Sequence, residues 1–404
     1  MLREGRHMTE ITELRSLVVD HIDSLASELV QVSHEIHAHP ELNFEEHFAS
    51  DLLCATASRH GMELERGAFT VPTAFAGEFG EGPRVGIVCE YDALPGIGHG
   101  CGHNVIAAAG LGASIALARV ANIAGGSVRV LGTPAEEGGG GKVFMARAGA
   151  FDGLVAAMMV HPADEDLAEI SAIAVQQLFV EYHGQESHAA AAPHMGRNAL
   201  DAAVLGYMGV SALRQHIRPS ERIHGIFTKG GDKPNIVPRE AAMHWYIRSD
   251  NTGTLQPLKS RVIAALEAGA SACGCTMSHR WDQTPYADMV TNASLLRAYS
   301  HNSSLLGRDV YTPDVDHSVV GSTDMGNVSH LVPWIHPMIA IEPRGTAIHT
   351  EQFSTHAISI MADQAIIDGA KAMALTALDV WTNPSLRAQV EADYRHDDPD
   401  RAVL

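Results

Sequence analysis

The sequence predicts an α/β protein in which a smaller α+β domain is inserted into a larger domain with a mostly parallel sheet. Three observations lead to this fold class. The chain has 404 residues, more than one hydrophobic core usually supports. Short, continuous apolar runs alternate with helical stretches near both ends of the chain, as in sheets buried on both faces. The middle of the chain instead follows a β-α-β-β-α-β order.

The larger domain is predicted from helices that alternate with apolar runs. Residues 12–38 and about 44–60 have apolar side chains at helical spacing, and Pro40 ends the first of these helices. An alanine-rich helical stretch at 105–121 separates two apolar runs, and this strand–helix–strand order predicts parallel strands joined by a right-handed crossover. The apolar runs are 84–92, 127–137, 154–162 and 337–345.

The inserted domain is predicted over residues 173–287, between a first part of the larger domain at 1–172 and a second part at 288–404. Several of its strand-like segments alternate apolar and polar residues, which is typical of strands with one solvent-facing side. The segment order is the split β-α-β-β-α-β arrangement of a ferredoxin-like fold. The strand-like segments are 174–184, 222–231, 241–250 and 275–283, and the helix-like segments are 197–216 and 254–270.

Composition restricts the partners and the compartment. The formal net charge of −20 does not suit nucleic acid or an anionic membrane surface, both of which attract basic patches. The five cysteines are sparse and odd in number, so a reducing compartment suits them better than a disulfide framework. The N-terminal segment lacks the apolar core of a signal peptide, and no stretch is expected to reach the roughly 20 apolar residues of a membrane span. We therefore expect a cytoplasmic protein with no nucleic-acid or membrane partner.

Candidate metal ligands follow the apolar runs. Ligands of open parallel sheets bind beyond the carboxyl ends of the strands, so the residues after each run are expected at one edge of the sheet. Four runs are each followed by a residue that can bind a metal. Their mixture of thiolate, imidazole and carboxylate suits Zn²⁺ best, with Mn²⁺ or Co²⁺ as alternatives and one or two ions per chain. The predicted ligands are Cys101, His103, Glu137, His161 and His349.

The adjacent residues Glu136 and Glu137 are expected to have different roles, because neighbouring side chains point apart in extended or turn backbone. One carboxylate can bind the metal while the other acts as general base toward metal-bound water, whose pKa falls toward about 7. Taken singly, the pair is better interpreted as a solvated acidic turn, and His161 as a packing residue; only their joint occurrence favours a metal site. The GGGGK segment at 138–142 lacks the P-loop spacing and predicts no nucleotide site.

Nearly the whole chain carries, in order, the motifs HAHPELNFEE, CEYDALPG, GHGCGHN, GTPAEEGGGG, ESHAAAAPHMGRNAL, GSTDMGN and TAIH. Together these resemble the M20 metallopeptidases, and most closely their amidohydrolase branch of aminoacylases, aminobenzoyl-glutamate hydrolases and dipeptidase-like proteins. The resemblance implies that Glu136 is the catalytic base and that the five residues above are the ligands. Cys101 stands where other branches carry a bridging aspartate, and Asn104 stands where relatives carry an acid.

The resemblance also implies roles for three residues of the inserted domain. His188 matches a histidine that reaches an active site across a dimer and polarises the scissile carbonyl. Asn235 and Arg248 match positions that contact the substrate carboxylate. Relatives dimerise through the inserted domain, so the resemblance implies a homodimer.

These observations predict a metal-dependent amidohydrolase that cleaves the amide bond of an N-acyl amino acid, an aminoacyl conjugate or a dipeptide. One alternative is a non-catalytic metal-binding or regulatory protein of the same fold, which would not need Glu136. Another is a subunit that is active only with a different partner chain. His330, Trp334 and the loop at 313–320 are candidates for an acyl pocket and are equally consistent with packing.

Overall fold

The computed structural model describes residues 2–312, 320–342 and 344–394. These residues form two compact units. Residues 2–171 and 289–394 belong to the first unit, and Ala172–Asp288 form the second. One continuous segment of the chain is therefore inserted between the two halves of the first unit.

The elements are numbered along the chain. The strands are β1 (Glu65–Arg66), β2 (Phe75–Gly80), β3 (Arg84–Glu90), β4 (Ser127–Thr133), β5 (Leu154–Met158), β6 (His161–Ala163), β7 (Ser171–Ala172), β8 (Ala174–His183), β9 (Arg222–Lys229), β10 (Glu240–Ser249), β11 (Thr276–Trp281), β12 (Val320–Gly321), β13 (Trp334–Ile335) and β14 (Met338–Ala340). The helices are α1 (Leu2–Ala38), α2 (His47–Arg59), α3 (His103–Ala124), α4 (Gly141–Arg147), α5 (Ala199–Leu213), α6 (Thr252–Ala272), α7 (Ala293–Leu305), α8 (Met325–Ser329), α9 (Glu351–His356), α10 (Ile360–Thr382) and α11 (Pro384–Asp393).

A six-stranded sheet in the order β1-β2-β4-β3-β5-β13 forms the centre of the first unit. Strands β3, β4, β5 and β13 pair in parallel, whereas β1 and β2 extend the sheet in antiparallel orientation. Almost every residue of β3 and β4 is buried, which explains why their sequences are continuously apolar. The prediction of an α/β fold with a sheet that contains parallel strands is confirmed.

Two apolar runs behave differently from the prediction. The run at 154–162 is divided between β5 and β6, and β14 pairs in parallel with β6 instead of joining the central sheet. Residues 336–337 separate β13 from β14. Pro337 has no N–H to donate, but its carbonyl oxygen accepts a hydrogen bond from the His161 N–H at 2.9 Å, and β14 then pairs with β6. The segment that precedes His349 therefore reaches the site through a separate two-stranded sheet.

Helix α3 lies in the core of the first unit. By length and composition it could cross a membrane, contrary to the expectation that no such stretch exists, but 78% of its most apolar window is buried within the protein. Gly110 allows α3 to lie close to β3, because a Cβ there would come within 2.7 Å of the Val88 carbonyl oxygen and the Cys89 Sγ. This packing fixes the start of α3, at His103, beyond the carboxyl end of β3.

The second unit has an antiparallel sheet in the order β11-β8-β10-β9. Along the chain its elements follow the order β-α-β-β-α-β, from β8 through α5, β9, β10 and α6 to β11. Strand β10 alternates buried and half-buried residues throughout its length. Its buried side chains pack with those of α5 and α6 into a core of their own, which includes Leu178, Tyr182, Trp245, Val262 and Leu266.

Candidate metal centre

The loop between β3 and α3 brings Cys101 beside the start of β6. Gly102 adopts a left-handed conformation with φ of 76°, and a Cβ there would come within 2.9 Å of the Pro162 ring. The glycine therefore allows the loop to turn sharply into α3 while Cys101 stays buried. The Cys101 Sγ lies 3.5 Å from the His161 Nε2, and both side chains are buried.

The loop after β4 carries Glu136 and Glu137, and hydrogen bonds with the segment between α1 and α2 hold it in place. The buried carboxylate of Glu46 accepts a hydrogen bond from the Ala135 backbone N–H at 2.9 Å. Asn43 Nδ2 donates to the Glu137 carbonyl oxygen at 3.0 Å. Ala135 has a φ of 61°, which non-glycine residues rarely adopt, so these contacts hold the loop in an unusual conformation.

All five predicted ligands lie together, with Glu136 beside them. The His103 Nε2 lies 4.0 Å from the nearest carboxylate oxygens of Glu136 and Glu137. The His349 Nε2 lies 3.3 Å from Glu137 Oε1. Three groups have ligand atoms within 4.8 Å of one another: Cys101 with His103 and His161, Cys101 with Glu137 and His349, and His103 with Glu136 and Glu137.

The chemistry of the donors fits a divalent transition metal. The His161 Nδ1–H donates to the Pro162 carbonyl oxygen at 2.8 Å, which leaves a lone pair on the Nε2 beside Cys101. Burial, and next the charge of His103, lower the pKa of His161 to about 3, so this imidazole is neutral as a ligand must be. The His103 Nε2 is buried and has no hydrogen-bond partner among the described residues.

Asp92 organises two of the candidate ligands; it ends the apolar run at 84–92, and no role was assigned to it from the sequence. Its Oδ1 lies 3.0 Å from the His103 Nδ1, and its Oδ2 accepts a hydrogen bond from the Glu137 backbone N–H at 2.9 Å. A carboxylate on the far nitrogen orients a metal-binding imidazole and makes it a stronger donor. The missed signal was an acidic residue two positions after β3.

The four-glycine segment and the GSTDMGN loop meet in a buried ionic cluster that the sequence did not reveal. The Lys142 Nζ lies 2.8 Å from Asp324 Oδ1 and 2.5 Å from Glu90 Oε1, and the Lys142 backbone N–H donates to Asp324 Oδ2 at 2.9 Å. All three side chains are buried. Glu90 Oε2 in turn lies 3.6 Å from the His103 Nε2, so the cluster borders the candidate ligands. Buried charges are tolerated when they are paired in this way.

His336 adds an imidazole that the sequence analysis did not single out. Its ring centroid lies 5.3 Å from that of His161, and neither of its ring nitrogens has a hydrogen-bond partner among the described residues. Burial lowers the pKa of His336 well below the usual value, so the ring is neutral.

The environment separates the two adjacent glutamates. Burial, and next the charge of Glu137, raise the pKa of Glu136 well above its usual value. Burial would also raise the pKa of Glu137, but the hydrogen bond with His349 and the charge of His103 outweigh burial and lower it. Pairs of carboxyl groups whose pKa values diverge in this way are typical of sites where one group binds and the other transfers protons.

Asn104, at the start of α3, and His99, in the loop that precedes α3, have structural roles. Asn104 Nδ2 donates to Ser33 Oγ at 2.8 Å and to the Ala357 carbonyl oxygen at 2.9 Å. A carboxylate has no N–H to donate, so the amide suits this position where relatives carry an acid. The His99 Nε2 lies 3.1 Å from the Ile36 carbonyl oxygen and is not among the gathered ligand atoms.

The substrate-binding candidates all belong to the second unit. They are His188, Asn235 and Arg248, and the Ala189 backbone N–H donates to the Asn235 carbonyl oxygen at 3.1 Å. The Arg248 guanidinium lies 5.8 Å from the centre of the Tyr246 ring. Their roles toward substrate stay predictions.

The acyl-pocket candidates also stay predictions. His330 and Trp334 are buried in the first unit, and residues 313–319 lie outside the described residues.

Comparisons with known proteins connect this site to a family. Residues 87–379 match the model of a family described as Peptidase family M20/M25/M40. The Xaa-Arg dipeptidase of Mus musculus is 41% identical, with 96% of this chain and 93% of the relative covered. One of the subunits of the p-aminobenzoyl-glutamate hydrolase of Escherichia coli (strain K12) is 28% identical, with 95% of each chain covered.

Solved structures show the same fold. An aminobenzoyl-glutamate utilization protein from Klebsiella pneumoniae superposes with a TM-score of 0.70 at 18% identity, over 90% of this chain and 98% of that one. A Bacillus subtilis protein described as a dinuclear metal binding peptidase from the M20 family superposes with a TM-score of 0.65 at 19% identity, over 89% of this chain and 99% of that one.

Proposed function

We propose that this chain, which belongs to peptidase family M20/M25/M40 and is a metal-dependent peptidase or amidase, is a dipeptidase. Its preferred substrates would carry a C-terminal arginine. The gathering of five potential ligands around Glu136 carries the hydrolytic part of the proposal. Similarity to a Xaa-Arg dipeptidase over nearly the whole chain favours dipeptides within the broader class of N-acyl amino acids and aminoacyl conjugates.

The metal would be held by Cys101, His103, Glu137, His161 and His349. A thiolate among imidazoles and a carboxylate favours Zn²⁺ over Mn²⁺ or Co²⁺. A bound divalent ion polarises the scissile carbonyl and lowers the pKa of water. Asp92 supports this role, because it orients His103 and holds the backbone of Glu137 through its two oxygens.

Glu136 is the proposed proton carrier. It takes a proton from the attacking water as the oxygen bonds to the carbonyl carbon, and later delivers that proton to the amide nitrogen as the C–N bond breaks. The products are a free carboxylate and a free amine. A non-catalytic metal-binding protein would not need this second carboxylate beside Glu137, so its presence favours the enzyme.

The second unit would supply the remaining substrate contacts. We propose that His188 stabilises the oxyanion and that Asn235 and Arg248 bind the substrate carboxylate. We also propose a cytoplasmic homodimer formed through this unit. Large apolar side chains of α5 and β9 support the interface because they are more than two-fifths exposed, and clusters of this kind mark association surfaces. They are Val204, Leu205, Met208 and Phe227; Ile226 is also exposed but lies on the opposite face of the sheet, because successive strand residues alternate.

A substrate panel tests the proposal. The metal-loaded protein is incubated with Ala-Arg, Ala-Glu, N-acetyl-arginine and p-aminobenzoyl-glutamate, and products are quantified by mass spectrometry. We expect the largest kcat/KM for Ala-Arg. Faster cleavage of p-aminobenzoyl-glutamate would contradict the dipeptidase assignment. No cleavage of any of these amides by the metal-loaded protein would favour the non-catalytic alternative, or the subunit that needs a different partner chain.

A further inference from the structure

The second unit contains a basic pocket in a protein that is otherwise acidic. The pocket has a volume of about 660 Å³ and lies between the end of α5 and the start of β9. The chain carries a net charge of −20, whereas three arginines and one glutamate line the pocket. The polar lining is Arg214, Arg218, Arg222, His224 and Glu221.

Backbone carbonyl groups, and not carboxylates, hold two of the guanidinium groups in place. Arg214 donates from Nε and Nη2 to the Ile223 carbonyl oxygen at 3.1 and 2.9 Å, and from Nη1 to Ser211 Oγ at 3.2 Å. Arg222 donates from Nη1 to the carbonyl oxygens of Pro219 and Glu221. Neutral acceptors fix the position of a guanidinium group without cancelling its charge.

The single acid in the pocket does not neutralise the arginines. Glu221 is buried, and its Oε2 accepts a hydrogen bond from the Arg218 backbone N–H at 2.8 Å. Over the part of the chain that the structure describes, neither Glu221 nor Arg214, Arg218 or Arg222 takes part in an ion pair. Three arginines therefore line the pocket with one buried carboxylate that pairs with none of them, which leaves a net positive charge.

The guanidinium groups also retain unused donors. A guanidinium group carries five N–H bonds. Arg214 has two left after its three hydrogen bonds, Arg222 has three, and the Arg218 side chain makes none within the described residues. The positive potential extends to His224, whose pKa is lowered by burial and next by the charges of Arg248, Arg214 and Arg222.

We propose that this pocket binds a small organic anion that carries a phosphate or carboxylate group on an apolar or aromatic body. The forked donors of arginine match the paired oxygens of either group. Tyr207, Ile217 and Pro219 line the same pocket and provide an apolar wall. The volume exceeds that of a single oxyanion and leaves room for such a body beside the charged group. No residue of the proposed catalytic site lines the pocket. Tyr207 and His224 belong to α5 and β9, which also carry the proposed dimer interface, so the pocket requires that its end of these two elements stays open in the dimer.

Isothermal titration calorimetry of the full-length, metal-loaded protein tests this site, with phenyl phosphate, inorganic phosphate and glutarate as probes. We expect phenyl phosphate to bind the wild type, and the double variant Arg218→Gln/Arg222→Gln to bind at least tenfold more weakly with an unchanged circular dichroism spectrum. Glutarate binding more tightly than inorganic phosphate would support the site and identify carboxylates as the source of the anion, and the reverse order would identify phosphates.

Two controls make the test decisive. Arg261→Gln removes the same charge from α6 of the same unit, where Arg261 bonds the His216 carbonyl oxygen and does not line the pocket, and should bind phenyl phosphate as the wild type does. Cys101→Ala should also bind normally. Loss of binding only in Cys101→Ala would assign the anion to the metal centre and overturn the proposal. Equal affinity in the double variant, or arginine-dependent binding of a single-stranded oligonucleotide that is tighter than that of phenyl phosphate, would overturn it too.

Discussion

Asp92 connects two candidate ligands through its two carboxylate oxygens, one on the His103 ring and one on the Glu137 backbone. Asp92→Asn removes the charge and sets an amide where Glu137 needs an acceptor. Loss of such a support typically lowers metal affinity about 10–100-fold, which a competition titration with a chromophoric chelator measures. Asp51→Asn, at an aspartate whose side chain is 69% exposed, is the control and should bind Zn²⁺ normally. An unchanged Zn²⁺ affinity in Asp92→Asn would show that Asp92 does not support metal binding.

Metal binding should compete with protons at Cys101 and His103. Burial raises the pKa of the Cys101 thiol. Burial opposes protonation of His103, but the Asp92 carboxylate outweighs it and raises the pKa of His103 well above its usual value. Both groups therefore hold protons at neutral pH and must release them to bind a metal.

The sign of the pH dependence follows from these two groups. Zn²⁺ affinity should rise as the pH rises from about 6 to 8, and binding should release protons. Calorimetry in buffers of different ionisation enthalpy counts the released protons, and Cys101→Ala should release fewer and bind more weakly. Affinity that does not change over this pH range would show that these groups are not ligands.

At the scale of elements, the start of α4 determines the position of both glutamates. A Cβ on Gly141 would come within 1.9 Å of the Pro134 carbonyl oxygen, so the backbone would have to move. Gly141→Ala should destabilise the protein by about 1–3 kcal/mol and weaken Zn²⁺ binding, as thermal denaturation and titration would show. Gly230→Ala has only an ordinary contact at 3.7 Å and should leave both unchanged. Wild-type stability in Gly141→Ala would contradict the tight contact.

The elements were more predictable than their ends. The run at 84–92 predicted β3, and the alanine-rich stretch predicted α3, because burial on all sides leaves a continuous apolar sequence. The division of 154–162 into β5 and β6 could not be predicted, since it depends on β13 and β14, which pair with them from a distant part of the chain. Strand ends are set by their partners as much as by their own residues.

Some residues of the candidate site were predictable from the sequence and others were not. Four of the ligands were predictable because they follow β3, β4 and β5, whose carboxyl ends share one edge of the central sheet. His349 instead follows β14, which belongs to a separate two-stranded sheet. The contact of Lys142 with Asp324 was not predictable, because the two residues are 182 positions apart and each lies at the start of a short helix, after a glycine-containing segment of ordinary composition. Asp92 lies between these cases, since its position was evident and its partners were not.

At the scale of the whole molecule, the exposed apolar face of α5 and β9 bears on assembly. The proposed homodimer should have a mass in solution of twice 43.1 kDa by light scattering. Met208→Glu places a charge on this face, where the native side chain is 59% exposed, and should shift the mass toward the monomer. Leu305→Glu, at a residue 61% exposed in the first unit, is the matched control and should stay dimeric. A monomeric wild type would contradict the proposed assembly.

The variant Glu136→Gln tests whether Glu136 transfers the proton during hydrolysis, because it removes this carboxylate and leaves all five candidate ligands. Metal content by mass spectrometry and kcat for Ala-Arg are measured on the same preparation, with Glu45→Gln, at a side chain 78% exposed, as control. We expect wild-type metal content in both variants, and a fall in kcat of about 10²–10⁴-fold in Glu136→Gln but not in Glu45→Gln. Wild-type kcat in the metal-loaded Glu136→Gln variant would contradict this expectation.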